Sequence, residues 1–486
     1  MPKSARLAKW TLTVLSCCLC LGALGGLRAE AAEVAPSYMY SYYGEAVAAP
    51  AAYQATDLYD GRTLGVDAFR EPSDLGVHPD GTIYVLDSGN NRVVRLDPQM
   101  RLLDIIDGFD SGGSPDSFAN PQGLFVTATG HLYVADTGKQ RVVHLDEQGG
   151  LVKIIDSPQS ELLQSNFSFQ PMRLVVDSSE RVYVMAAGVF DGFMEFNSDG
   201  TFSTFIGANR VYVDPIEYLW KMLATRQQRS QMVMFTPTEF TSLDINDEGF
   251  IYATNGDRFG DPIKKLNAQG ADILRREGYY TPQGDLLYRN TAGPSRLIDI
   301  DVGDSEMYSV LDARLGRIFT YNGDGHLLHI FGGLGNRVGE FNTPVAIARS
   351  GEDILVLDKA LGEITRFQTT EYGRVLHEAV RSYYRGDEEA AARYFYEAVN
   401  LNANLEYAYA GIGKAELRQG NYSDAVHYFR QSMDHANYSK AYQLLRKEVL
   451  RERFSTIMTG LVLTIIGLLV VRRYFKLKAR KKVVPL

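Results

Sequence analysis

Eight histidines are the first place to look for catalysis in this 486-residue chain. His78, in "VHPDG", and His131, in "TGHLY", fall in or beside turns between apolar runs, where solvation accounts for them. His326 and His329, in "HLLH", stand three apart on an extended apolar run. On a strand such positions face opposite sides, so one metal ion cannot take both. His377, His427 and His435 belong to a C-terminal stretch of helical periodicity. Neither HExxH nor the nucleophile-elbow pattern Gly-x-Ser-x-Gly occurs. "GGLGNRVG" (332–339) lacks the spacing of a dinucleotide loop and leads into an extended run rather than a helix, so it reads as a turn. No catalytic residue, metal ligand or cofactor is expected.

Two sets of charged residues remain. Asp87 with Arg92, Asp136 with Arg141, and Asp312 with Arg317 recur at one spacing, which points to structural hydrogen bonding because an active site is built once. The side chains two positions after a recurring proline do not repeat: Asp74, Gly123, Arg173, Glu239, Arg296 and Ala346.

The elements that must position them follow from those prolines, Pro72, Pro121, Pro171, Pro237, Pro294 and Pro344. After each comes an apolar run, a turn and a second apolar run such as "IYVLD" or "LYVAD". The cleaner copies add "RVVRLD" and "LLDIID". Four short strands per unit at a period near fifty residues predict propeller blades. The strands are apolar at consecutive positions because a blade is covered on both faces. The sixth unit stops after three strands, at "EITRFQ", and "YQATDLYDG" (53–61) is expected to supply its fourth and close the ring. The long spacing before Pro237 holds an expected helix with Asp214 as N-cap, Pro215 at N1 and Glu217 at N3.

"PQGLFVTATGHLYVADTGKQRVVHLDEQG" resembles an NHL repeat, and "FGGLGNRVGEFNTP" resembles the connector between such repeats. The resemblance covers about residues 69 to 368 and weakens in the third unit, where "MAAGVF" replaces the Asp-x-Gly turn. It implies a mainly β, six-bladed NHL-like propeller. It also implies that Asp74, Arg173, Glu239 and Arg296 stand near the mouth of the central channel, where they would bind a ligand or form an ion-pair network.

Past the propeller the period becomes 34: Gly386 and Gly420, Ala391 and Ala425, Phe395 and Phe429. This resembles two tetratricopeptide repeats. Residues 439–454 would cap them as a helix, and the uncharged "FSTIMTGLVLTIIGLLVV" (454–471) is long enough to span a bilayer. "RRYFKLKARKK" after it carries seven basic residues and no acid, the mark of a cytoplasmic tail.

Residues 1–31 read as a signal peptide: three basic residues, an apolar middle and Ala29-Glu30-Ala31. All three cysteines lie within it, so the mature chain is expected to have neither disulfides nor cysteine-bound zinc. A net charge of −9 argues against nucleic acid as a partner.

The expected organisation is therefore signal peptide (1–31), closing-strand segment (32–68), propeller (69–370), helical repeats (371–453), membrane span (454–471) and basic cytoplasmic tail (472–486). The layout resembles bacterial membrane-anchored NHL proteins linked to carbohydrate uptake. It implies a non-catalytic extracytoplasmic binding or scaffold protein, with a polar ligand (sugar or peptide) at the propeller and a protein partner on the helical repeats. The alternative is a propeller lactonase or lyase of the gluconolactonase type.

Overall fold

The computed structural model describes residues 37–163, 167–209, 222–223, 238–256, 261–286 and 293–481. The expected signal peptide lies outside the described residues. So does the helix expected from Asp214, apart from Met222 and Leu223, which are helical. The chain divides into two compact units. One holds Ala48–Arg374 with Met39 and what precedes it; the other joins Tyr40–Val47 to Val375–Leu486.

The first unit is a six-bladed β-propeller. Its innermost strands are Asp74–Val77, Gly123–Val126, Pro171–Val176, Phe240–Ile245, Leu297–Val302 and Pro344–Ser350. They neighbour one another in that order, and the sixth neighbours the first. Each blade is an antiparallel meander. In blade one the later strands are Ile83–Asp87, Arg92–Leu96 and Leu102–Ile106. The consecutive apolar residues serve two neighbours. Leu75, Ile83, Val85 and Val94 pack on Ala346, Leu355 and Leu357 of blade six. Tyr84, Leu86 and Val93 pack on Leu124, Val134 and Val143 of blade two. Burying one such side chain contributes ~1.5–3 kcal/mol, so a blade is stable only within the ring.

Blade six closes on the N-terminal strand. Tyr53–Asp60 pairs antiparallel with Glu363–Thr369, from Tyr53 opposite Thr369 to Asp60 opposite Glu363. In blades one, two, five and six the recurring aspartate fixes the corner by capturing the chain that leads into its own blade. Asp87 accepts from the Arg70 amide (2.8 Å), Asp136 from Ala119 (2.7 Å), Asp312 from Arg296 (2.8 Å) and Asp358 from Asn342 (2.6 Å). Arg92 and Arg141 bond the same carboxylates at 2.8 Å. The third expected pair differs: Asp312 accepts from Ser295 Oγ at 2.7 Å, while the Arg317 guanidinium lies over the Tyr38 ring at 4.6 Å.

The second unit contains six helices: α1 Glu371–Tyr384 (its first turn in the other unit), α2 Glu388–Leu401, α3 Glu406–Gln419, α4 Tyr422–Gln431, α5 His435–Glu452 and α6 Phe454–Lys481. Asp387 caps α2 by accepting from the Ala390 amide, and Gly420 ends α3 at φ 85°, a conformation that costs a side chain dearly. The 34-residue period has a packing cause. A Cβ on Gly413 of α3 would come within 2.8 Å of the Phe429 ring on α4, and Gly411 faces Phe395 of α2 in the same way. Small residues on α3 thus let both phenylalanines bury. Tyr40–Val47 belongs to this unit, and Tyr42 meets His435 edge-on with ring centres 6.2 Å apart. Within α6, Phe454–Lys478 is long and apolar enough to cross a membrane.

Candidate functional site

The register of the inner strands decides which side chains share a level. Asp74 lies opposite Leu86, Gly123 opposite Ala135, and Arg173 opposite Met185. In blades four to six the residues at that level are Ser242, Asp299 and Ala346, opposite Thr254, Leu311 and Leu357. Glu239 and Arg296 are therefore not members of the ring. Phe240 and Leu297 occupy the strand position that Pro171 and Pro344 hold in their blades, so Pro237 and Pro294 stand three residues too early to mark it. Glu239 is exposed and accepts from the Gly188 amide at 3.2 Å; Arg296 is exposed as well.

A cavity of about 750 Å³ runs along all six inner strands. Its lining grades from buried at Asp74, Ser242, Asp299 and Ile347 to exposed at Pro79, Thr129, Ser178, Asp247 and Gly351. It thus opens among the turns that end the inner strands, at the opposite end from the prolines. Of the four residues expected at the mouth, Asp74 and Arg173 are here, and they form the floor.

Arg173 is the floor's keystone. It forms an ion pair with Asp74 and donates to the carbonyls of Ser73 (3.2 Å) and Val345 (3.3 Å), tying blade three to blades one and six. Burial lowers its pKa, and the Asp299 charge opposes that shift. Gly123 is bare because a Cβ there would meet the Met172 carbonyl at 2.4 Å.

Carboxylates of the channel lining, buried at Asp74 and Asp299 and half-buried at Asp244 and Asp301, also staple successive blades. Asp74 accepts from Leu124 (2.8 Å), Asp244 from Val302 (2.7 Å), Asp299 from Ile347 (2.7 Å) and Asp301 from Arg349 (2.8 Å), all backbone amides of the next blade. Ser242 Oγ adds a 2.6 Å bond to Asp299. Burial pushes the Asp244 carboxyl up to about 8, helped by the Asp301 charge. Burial also raises Asp299 and Asp301, opposed by Arg173 and Arg349 respectively. Among the described residues no three or more His, Cys, Asp or Glu converge as a metal-binding group.

Asp244, Asp301 and Arg349 were not singled out in the sequence. The available signal was an acid inside a buried strand, as in "FTSLDI" and "LIDIDV", which needs a partner or a purpose.

The NHL repeat family profile matches residues 69–96 and 118–145, the first three strands of blades one and two. The chain carries NHL repeats. No curated protein matches it. Among solved structures, the chain is similar to virginiamycin B lyase from Staphylococcus aureus, at 9% identity and TM-score 0.40 over 65% of this chain and 100% of that one. It is also similar to a structural genomics protein of unknown function from Bacteroides thetaiotaomicron, at 14% identity and TM-score 0.40 over 70% of this chain and 77% of that one.

Proposed function

We propose that this is a membrane-anchored, non-catalytic binding protein. The propeller, held outside the cytoplasm, takes a polar ligand in its channel, and the helical unit acts as a tetratricopeptide pair that holds a membrane-associated protein. The observation that carries this is the cavity. It is of ligand size, open at one end and floored at the other, and it places charged groups from blades one, three, four, five and six around one space. The charged groups are engaged by backbone amides or by each other, which suits holding a ligand in register better than turning one over. The glycines of α3, which let Phe395 and Phe429 bury, support the repeat reading. Two repeats bury little apolar area alone, which favours a neighbour that completes them.

The test is ligand-induced thermal stabilisation of the full chain in detergent micelles, across oligosaccharides and short peptides. Val126 lines the cavity and is half-buried, so Val126→Trp should fill the space, leave the fold intact and abolish stabilisation. Stabilisation that survives Val126→Trp would place the ligand elsewhere. For the helical unit, replacing 375–437 by an unrelated helical hairpin should abolish co-purification of a membrane partner while the propeller still melts normally.

A further inference from the structure

The cavity is polarised across its width. One level out from the floor, the residues in register are Gly76, Phe125, Val175, Asp244, Asp301 and Ala348, opposite Tyr84, Tyr133, Tyr183, Tyr252, Ser309 and Leu355. Carboxylates thus stand only on blades four and five at this level. The apolar part of the lining faces them from blades one to three, at Leu75, Leu124, Phe125 and Val176, with Arg173 and Asp177 of blade three beside it.

Charge compensation is one-sided as well. Between the floor and this level there are four carboxylates, Asp74, Asp244, Asp299 and Asp301, and two guanidiniums, Arg173 and Arg349. Arg173 is spent on Asp74 and two carbonyls, and Arg349 pairs with Asp301 at 3.4 Å. Asp244 receives only backbone amides, from Ile245 at 2.8 Å and Val302 at 2.7 Å. Asp301 Oδ2 is the oxygen that faces Arg349 Nε at 3.4 Å, and it has no closer hydrogen bond among the described residues. Four acids face two guanidiniums here, and Asp244 has no side-chain cation as partner among the described residues, so a cation finds an acceptor there with an apolar wall across from it.

We propose that the cavity binds an organic cation, an ammonium or guanidinium head on an apolar body, with the head between Asp244 and Asp301 and the body against Phe125 and Val176. This rests on the channel being the binding site, as argued above. It narrows the ligand from polar to cationic.

Proton linkage gives an independent handle. The charged and titratable groups around Asp244 are Asp299 and Asp301 on blade five, Arg349 on blade six, Arg173 and Asp177 on blade three, and Tyr252 on its own blade. With its carboxyl raised to about 8, Asp244 is mostly protonated at neutral pH. A cationic head favours the ionised form, so binding releases a proton.

Calorimetric titration of the full chain in detergent micelles decides the matter, with benzylamine, benzyl alcohol and benzoate at pH 7 in phosphate and again in HEPES. Benzylamine should bind, and its heat should differ between the buffers by the ionisation heat of about one proton. Asp244→Asn should weaken benzylamine about tenfold and remove the buffer dependence. If that variant does not fold, the two-buffer measurement on the native chain still decides. Benzyl alcohol or benzoate binding as tightly as benzylamine overturns the proposal, as does benzylamine binding without proton release. Calcium that binds and displaces benzylamine overturns it in favour of a metal site. Each of these leaves the channel a binding site. If the aromatic trio, the oligosaccharides and the peptides all leave the chain unaffected, the channel reading falls with it.

Discussion

Arg173 and Arg296 follow a proline at the same distance, yet only Arg173 enters the ring. It is buried against Asp74 and two carbonyls, and breaking a buried pair leaves an uncompensated charge. Arg173→Gln should therefore cost about 3 kcal/mol or more in denaturant unfolding of the propeller, whereas Arg296→Gln, at an exposed position, should change stability by less than about 0.5 kcal/mol. Equal effects would mean the floor is not held as described. Asp244 sets the response to alkali. Its folded-state pKa of about 8 lies above the unfolded value of 3.8, so its contribution is present at low pH and is lost as pH rises through about 8. His144 acts from the other side. Burial and its neighbour His131 depress it to about 4, so stability falls as pH drops from 6.5 towards 4. The two slopes oppose each other between about pH 4 and 6.5, so melting temperature should fall mainly from about pH 6.5 to 8. Asp244→Asn should flatten that fall, and His144→Gln should extend it down towards pH 4.

Strands and helices were legible in the sequence where pattern and packing agree. The fifty-residue period produced six blades because strands inside a blade, such as Ile83–Asp87 and Leu132–Asp136, are buried on both faces. The 34-residue period marks α2 to α4 because glycines and phenylalanines must alternate for the helices to approach. The ring level was misread in blades four and five, since a proline marks where the chain turns and not where pairing starts. The bulge near the start of the inner strand, shared by blades three to six, appears only in the register and does not distinguish the two blades that were misread. The placement of Tyr40–Val47 beside the helices was not legible either, because that stretch has no periodicity and its partner His435 is far along the chain. The fourth strand of blade six gives the sharpest test at this scale. Deleting Tyr53–Asp60 leaves every repeat in place but bares the Glu363–Thr369 edge, so the chain should lose its cooperative melt or aggregate. A truncated chain that melts like the full one would show that the ring closes without it.

At the scale of the whole molecule, the proposed orientation puts the propeller outside and the basic residues after Val471 in the cytoplasm. Protease added to intact, wall-stripped cells should remove the propeller and leave a fragment bearing the C-terminal residues; full protection would reverse the topology. The seam between Tyr53–Asp60 and Glu363–Thr369 also has a history in time. A ribosome delivers the first of these strands roughly three hundred residues before the second, which at about 5–20 residues per second is a wait of some 15–60 s. This strand must therefore stay soluble, unmated and unattractive to passing edges until its partner emerges. "YQATDLYD" is written for waiting: it has two acids and a single large aliphatic residue, and half of it still faces solvent in the finished ring.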